Sequence, residues 1–513
     1  MAKAKKAVEQ EKRYVILPPR GLKTSEGVGQ RSLAVSLRSM EIGVKWGSGG
    51  PTIAGLSPAV SARVTVLDSI HDNGAKLVSM SRETMLELRA AEPGLRIVPE
   101  VFYKPMVYRP AVATKVKKAA KPKIPGLVTS APRIVLTVRS MADKSPLQGV
   151  RVVAFIDFDQ GEGQEGTTDA SGAVALDFGK GSQKLERLYA FPNEGFWGAL
   201  RENLTIKTGA AIELDPVALD VNDCVRDVYG RAALNVGEGV TVGVIDCGID
   251  TTHPDLKVVG GTNTVVGEAD TDFGDNGGHH GTHVGGIIAA RGKIPGVAPG
   301  VALRSYRVFA KHVDGEEDQA SNFAIAKAID QAAADGCDLI NMSLGGGDPD
   351  DATRSAIADA RAAGTLVIAA AGNDHRGAVS FPASDARTVA VSAMGRVGTF
   401  PEGSEPAGDM LDPFGKDGAN FVAAFSNVGP EIDVTGPGVG VVSTVPGGYT
   451  LMSGTSMACP AITGAAARLL AASPTVLAMP RNEARSDAIA KLLFQAAKTL
   501  GFGANFEGHG LPG

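Results

Sequence analysis

Cysteine is scarce in this chain. Cys224, Cys247, Cys337 and Cys459 are the 4 cysteines in 513 residues, too few for the disulfide framework that staples small secreted domains. No run of about 18 apolar residues is present, the length a helix needs to cross a bilayer. Met1 to Lys12 is charged and lacks the apolar stretch of a secretory signal. A strong excess of either charge is missing as well, since 51 Lys and Arg face 56 Asp and Glu for a formal net charge of −5. Nucleic acid and membrane surfaces are therefore not favoured as partners. These absences lead to the expectation of a cytoplasmic protein, or one exported without a recognisable N-terminal signal peptide. What is present is 43% hydrophobic residues and enough length for roughly two to four domains with a large core.

Three motifs carry chemistry. Gly454-Thr455-Ser456-Met457-Ala458-Cys459-Pro460 lies between a Gly- and Pro-rich loop and an Ala-rich run, Ala465 to Ala472, that reads as a buried helix. This places a serine hydroxyl at a helix N-terminus, beside a backbone N–H suited to negative charge developing on a carbonyl. Alone it is equally a helix cap, the ordinary place for Ser and Thr. Upstream, Val242-Gly243-Val244-Ile245-Asp246-Cys247-Gly248-Ile249-Asp250 reads as a buried parallel strand that delivers Asp246 to the sheet edge where open α/β folds bind ligands. Between them, His279-His280-Gly281-Thr282-His283-Val284 opens an apolar helix, with His280 at its start. An acid, a histidine and a serine at the ends of separate elements supply an orienting carboxylate, a general base and an attacking hydroxyl.

The order Asp, His, Ser is that of subtilisin, and the local strings resemble the subtilase family of serine proteases. Ile245 to Leu256 resembles its aspartate motif, His280-Gly281-Thr282-His283-Val284 its histidine motif and Gly454-Thr455-Ser456-Met457-Ala458 its serine motif. Ala369-Ala370-Ala371-Gly372-Asn373 is similar to the segment that supplies an oxyanion-hole asparagine. The resemblance covers roughly Asp215 to the C-terminus. It implies an α/β fold, a three-layer subtilisin-like parallel sheet with helices on both faces. It further implies a serine endopeptidase acting through Asp246, His280 and Ser456 by an acyl-enzyme, with Asn373 in the oxyanion hole. Protein or peptide substrates would be the partners. The same residues leave room for a peptide ligase or macrocyclase, and for a silent peptide-binding scaffold.

The histidine directly before Gly-Thr-His is the base in the family motif, so His280 inherits the role, with His283 expected to pack inside and His279 to lie in a loop. His279 and His283 also have the spacing of zinc ligands on a helix, but His280 stands where the general-base glutamate of that motif would be. Asn341-Met342-Ser343-Leu344-Gly345-Gly346 resembles the strand that pairs with an extended substrate. Ser343, Leu344, Gly345, Gly346, Ala370, Ala371 and Gly372 are thus the candidate substrate-binding residues, with Phe381 to Ser384 near the pocket base. Their small or apolar side chains suit an apolar residue before the cleaved bond. The family implies no cofactor beyond calcium, for which Asp255 is a partial match. The short, basic connection Ala290 to Gly296 departs from the family's loop, and the acids of Asp270 to Asp275 read as solvated.

Ahead of the protease, Arg13 to Pro18, Val64 to Leu67, Gly74 to Met80 and Leu95 to Glu100 read as strands, with Ser81 capping a helix through Ala90. The stretch resembles the inhibitory propeptide of subtilases, although Gly27 to Pro58 departs from the usual compact form. Its last strand, ending near Val101 to Pro105, is expected to fill the cleft, with self-cleavage between about Phe102 and Gly126. Further on, Arg133 to Arg139, Val150 to Phe155 and Ala173 to Leu176 alternate like strands, with Gly166 to Gly172 as a turn. That part resembles a transthyretin or carboxypeptidase-regulatory β-sandwich. The expected organisation is a tail at 1–12, a propeptide-like α+β domain at 13–108, an Ala/Lys/Pro linker at 109–126, a sandwich at 127–214 and a peptidase domain at 215–513.

Overall fold

The computed structural model describes residues 11–24, 37, 64–108, 117–118, 133–179, 181–313 and 315–513. The apolar run 241–246 forms a strand inside a nine-stranded sheet. Ala302–Arg307 and Leu339–Met342 flank it in parallel, and Leu366–Ala370 and Thr388–Arg396 continue the parallel order. Successive side chains on a strand face opposite sides. Val242, Val244, Leu339, Ile368 and Ala370 accordingly join one core, and Ile245, Ile340, Met342, Val367 and Ala369 another. Helices His280–Ala289 and Thr455–Ala471 contribute to the first core, and helices Asn322–Ala334 and Asp351–Ala362 to the second. The result is the expected α/β layering, helix on sheet on helix. Helix Thr455–Ala471 is buried without a break from Thr455 to Ala467.

The N-terminal strands form a four-stranded antiparallel sheet in the order Thr65–Ser69, Lys76–Met80, Lys12–Leu17, Arg96–Pro99. Helix Arg82–Ala91 starts where expected, with the Ser81 hydroxyl accepting the Thr84 N–H at 3.1 Å. Strand Lys12–Leu17 shows why this unit stays on the protease. Tyr14 and Ile16 join the unit's own core, whereas Val15 and Leu17 join the second core of the large sheet. Lys327 pairs with Asp68 at 2.8 Å, and the Leu22 N–H donates to Asp359 at the same distance. Of the Gly27 to Pro58 stretch, only Leu37 lies within the described residues.

Residues 133–214 form two sheets around one core that includes Ile134, Leu136, Val152, Leu176, Leu185, Leu188 and Ile212. The three strands expected there are present, and Glu162–Thr167, Ser182–Phe191, Ala199–Lys207 and Ala211–Leu214 complete the pair of sheets. The turn after Glu162–Thr167 is tighter than expected: Asp169 accepts from the Ser171 and Ala173 N–H groups, and Gly172 donates to the Asp169 carbonyl. Within the expected linker, residues 117–118 pair with Glu162 and Gly163, and the rest lies outside the described residues. This module is seated on the protease. The Leu200 N–H donates to Gly403 at 2.9 Å, that of Glu405 donates to Gly198 at 2.8 Å, and Trp197 packs with Ile294 and Val442. No helix among the described residues is long and apolar enough to cross a membrane.

Candidate active site

Strand Thr241–Asp246 ends at the carboxyl edge of the parallel sheet, and helix His280–Ala289 begins directly above it. A Cβ on Gly281 would lie 2.2 Å from the Gly248 carbonyl oxygen, so only glycine lets the helix start come this close. The approach sets His280 Nδ1 2.8 Å from Asp246 Oδ1, both side chains being buried. Asp246 Oδ1 also accepts the Cys247 N–H at 2.7 Å. With a carboxylate as acceptor, Nδ1 carries the ring proton and Nε2 is left with its lone pair. Nε2 is buried and has no hydrogen-bond partner among the described residues.

Ser456 lies in the first turn of helix Thr455–Ala471. Pro460, inside the helix, has no N–H for the carbonyl of Ser456 four residues earlier. That carbonyl accepts the Ser343 hydroxyl instead, at 3.0 Å, while the Ser456 hydroxyl donates to the Ser343 carbonyl, also at 3.0 Å. The two serines are thus joined twice, and no hydrogen bond links the Ser456 hydroxyl to His280 Nε2.

A segment of the chain itself runs through this site. Phe102–Pro105 lies as an antiparallel strand between Leu344–Gly345 and Ala320–Ser321. Beyond it, the Met106 N–H donates to the Ser343 carbonyl at 3.0 Å and the Tyr108 N–H to the Ser453 carbonyl at 3.0 Å. The Met106 carbonyl oxygen accepts two donors, the Ser456 N–H at 3.2 Å and Asn373 Nδ2 at 2.6 Å. Asn373 is oriented by Thr455, whose N–H and hydroxyl donate to Asn373 Oδ1 at 2.9 and 3.0 Å. A Cβ on Gly454 would stand 2.7 Å from the same Met106 oxygen, and one on Gly345 2.8 Å from the Met106 side-chain terminus. The two glycines therefore leave room for the strap.

An Asp–His pair, a serine and a carbonyl held by two N–H groups thus converge on one peptide, and the subtilase family profile matches residues 237–510. The chain belongs to the subtilase family. It is 38% identical to Subtilisin DY of Bacillus licheniformis over 261 residues, 49% of this chain and 84% of the relative. It is 38% identical to Subtilisin of Bacillus pumilus over 247 residues, 47% of this chain and 79% of the relative. Subtilisin Savinase of Lederbergia lenta is 38% identical over 243 residues, again 47% and 79%. The protein is a serine-type endopeptidase.

The other residues singled out in the sequence of this subtilase divide. Leu344 and Gly345 pair with Pro105 and Lys104, and Ser343 bonds Met106. Ala370 shares a core with Met106, and Gly372 donates its N–H to Thr455 Oγ1 at 3.1 Å. Gly346 donates to Phe381, whose ring lies 6.0 Å from that of Tyr103. His283 is buried with Nε2 3.2 Å from the carbonyls of Val441 and Thr450, and burial, then His280, pushes its pKa down to about 3. His279 lies in the loop directly before the helix, in a left-handed backbone conformation, and faces Asp275 at 3.4 Å. The two do not share a ligand site, and no group of three or more His, Cys, Asp or Glu arranged for a metal occurs among the described residues. Asp255 accepts the Tyr449 hydroxyl. Asp272 pairs with Arg307, and Asp275 accepts from the Gly277 N–H and the Thr282 hydroxyl, so these acids tie their loop to the neighbouring strand and helix. Thr455 as the orienting group for Asn373, and strand Ala320–Ser321, were missed. The Thr next to Ser456 was a signal for the first, whereas a two-residue strand leaves no pattern.

Proposed function

We propose that this endopeptidase cleaves through Asp246, His280 and Ser456, and that residues 11–106 are an inhibitory module caught before cleavage of the Met106–Val107 bond. The observation that carries the reading is the Met106 carbonyl oxygen shared by the Ser456 N–H and Asn373 Nδ2. Those donors face the atom that gains charge when a carbonyl is attacked. Rotation about the Ser456 side-chain bond exchanges the Ser343 carbonyl for His280 Nε2 as acceptor. His280 then takes the hydroxyl proton as Ser456 Oγ attacks the Met106 carbonyl carbon, and Asp246 stabilises the charged imidazole. The same proton passes to the departing Val107 amine, which leaves an acyl-enzyme for water.

Inhibition follows from affinity. The strap makes strand pairings on both sides, the mode by which extended peptides bind, and the sheet behind it buries Val15 and Leu17 in the protease core. Mass spectrometry of the wild-type chain beside its Ser456→Ala form tests both halves. Fragments 1–106 and 107–513 from the wild type alone, remaining associated on gel filtration, are expected. An intact wild-type chain that still hydrolyses peptides at full rate would overturn the inhibitory reading, and a Ser456→Ala chain that self-cleaves would overturn the mechanism.

A further inference from the structure

Where the strap leaves the cleft, the 133–214 module supplies part of the wall. A cavity of about 360 Å³ is lined by Val107 of the strap, Phe191, Phe196 and Arg151 of the module, and Glu405 and Leu451 of the protease. Met106 lies in the protease core, Tyr108 packs against that core and also lines the cavity, and Val107 between them lines the cavity. Valine is short for a space of this size. The module's edge is fixed in place by the Leu200–Gly403 and Glu405–Gly198 hydrogen bonds, so the wall is built and not merely adjacent.

The polar groups in the cavity are unequal. Arg151 is engaged by Glu165 at 2.6 Å. Glu405 pairs with no cation among the described residues, and burial pushes its pKa up to about 7. Asp409, outside the cavity lining, feels the Glu405 charge and is buried, with no hydrogen-bond partner for Oδ2 among the described residues. A carboxyl in this position favours a cationic neighbour, while Phe191, Phe196 and Leu451 offer apolar surface to the stem that carries it.

We infer that the 133–214 module gives this subtilase a pocket for the side chain directly after the cleaved bond, selecting a long residue with an apolar stem and a cationic head, lysine or arginine. The inference rests on reading Met106–Val107 as the cleaved bond. It is tested in the full-length chain by replacing Val107 and following the first-order appearance of fragment 107–513. Val107→Lys is expected to cleave on the order of tenfold faster than Val107→Glu. Glu405→Gln should erase that difference, and Phe191→Ala should slow the Val107→Lys chain but not Val107→Ala. Equal rates for lysine and glutamate, or a difference that survives Glu405→Gln, would overturn the pocket.

A second readout does not need catalysis. In the Ser456→Ala chain the strap stays in the cleft, and Val107→Lys should raise the unfolding midpoint about 2–4 °C above that of Val107→Glu, with Glu405→Gln removing the gap. If no chain self-cleaves yet this gap is present, the mechanism fails and the pocket stands. If the wild type self-cleaves and neither readout separates lysine from glutamate, the pocket fails and the mechanism stands.

Discussion

The Met106 carbonyl oxygen and the Asn373 side-chain amide lie 2.6 Å apart, and the opposite end of that amide is held by both donors of Thr455. Asn373 therefore presents its Nδ2 in one orientation before any charge develops. Asn373→Ala should lower kcat by about 10²–10³ with KM nearly unchanged, the cost known for losing such a donor in subtilisin itself. Thr455→Val, which keeps the N–H bond and loses the hydroxyl, should show a smaller loss in the same parameter. Steady-state kinetics on an unrelated peptide checks both, and a raised KM with unchanged kcat would assign Asn373 to ground-state binding.

Ser456→Ala should abolish peptide hydrolysis and labelling by a fluorophosphonate. His280→Ala should be comparably severe, because of the two neighbouring histidines it is His280 whose Nδ1 meets Asp246. His279→Ala should be mild, since that ring is half-exposed and its ion-pair partner is Asp275. Comparable losses from the two histidine variants would contradict these roles.

Strand 241–246 was legible because a buried parallel strand is an almost continuous apolar run, whereas the rest of the central sheet was expected from the family resemblance alone. The N-terminal strands were legible because Tyr14 to Leu17 alternates between two cores. The strap was only partly legible. Its expected end near Pro105 falls short, because Met106 to Tyr108 is held by single hydrogen bonds to Ser343, Ser456 and Ser453, which leave no periodicity. Strand Ser182–Phe191 mixes Lys184, Glu186 and Arg187 with its apolar residues and so escaped the period-2 signal. Pro460 reads in sequence as a helix breaker, yet in the fold it frees the Ser456 carbonyl for Ser343.

Asp246→Asn should preserve folding and lower turnover by about 10⁴, the value for the same change in a triad on an unrelated fold. The amide would present a donor toward Nδ1 and favour the wrong tautomer of His280. Circular dichroism together with hydrolysis of a peptide checks it, and retention of more than about a tenth of the activity would argue against Asp246 as the orienting group.

Tyr103 anchors the strap. Its hydroxyl donates to Asp350 at 2.6 Å, and Asp350 also caps helix Asp351–Ala362 by accepting from Ala352 and Thr353. Removing a hydrogen bond to a charged acceptor costs about 1.5–3 kcal/mol. Tyr103→Phe should weaken inhibition by fragment 1–106 by roughly tenfold to a hundredfold. Titration of the processed protease with each fragment measures this, and equal inhibition constants would show that the hydroxyl contributes nothing.

His283 gives the fold a dependence on pH. It is wholly buried, and its pKa is lowered from 6.5 to about 3, first by burial and then by His280. Between those values the unfolded chain binds a proton on this residue and the folded chain does not. Stability from this group is therefore complete above pH 6.5 and falls as the pH drops toward 3, by at most about 1.4 kcal/mol per pH unit. Glu405, whose pKa is raised to about 7, titrates in the same interval with the opposite sign, but it is common to both chains, so the difference between them isolates the histidine. In the Ser456→Ala background, which prevents self-digestion, urea midpoints are compared from pH 7 to 5 with and without His283→Gln. The chain that keeps His283 should lose more stability, or gain less, over that interval than the His283→Gln chain, even though the variant is less stable at pH 7. His280 is common to both chains and cancels in the comparison, so identical slopes would mean that His283 is already protonated in the folded state or that its burial is not what the pH dependence reports.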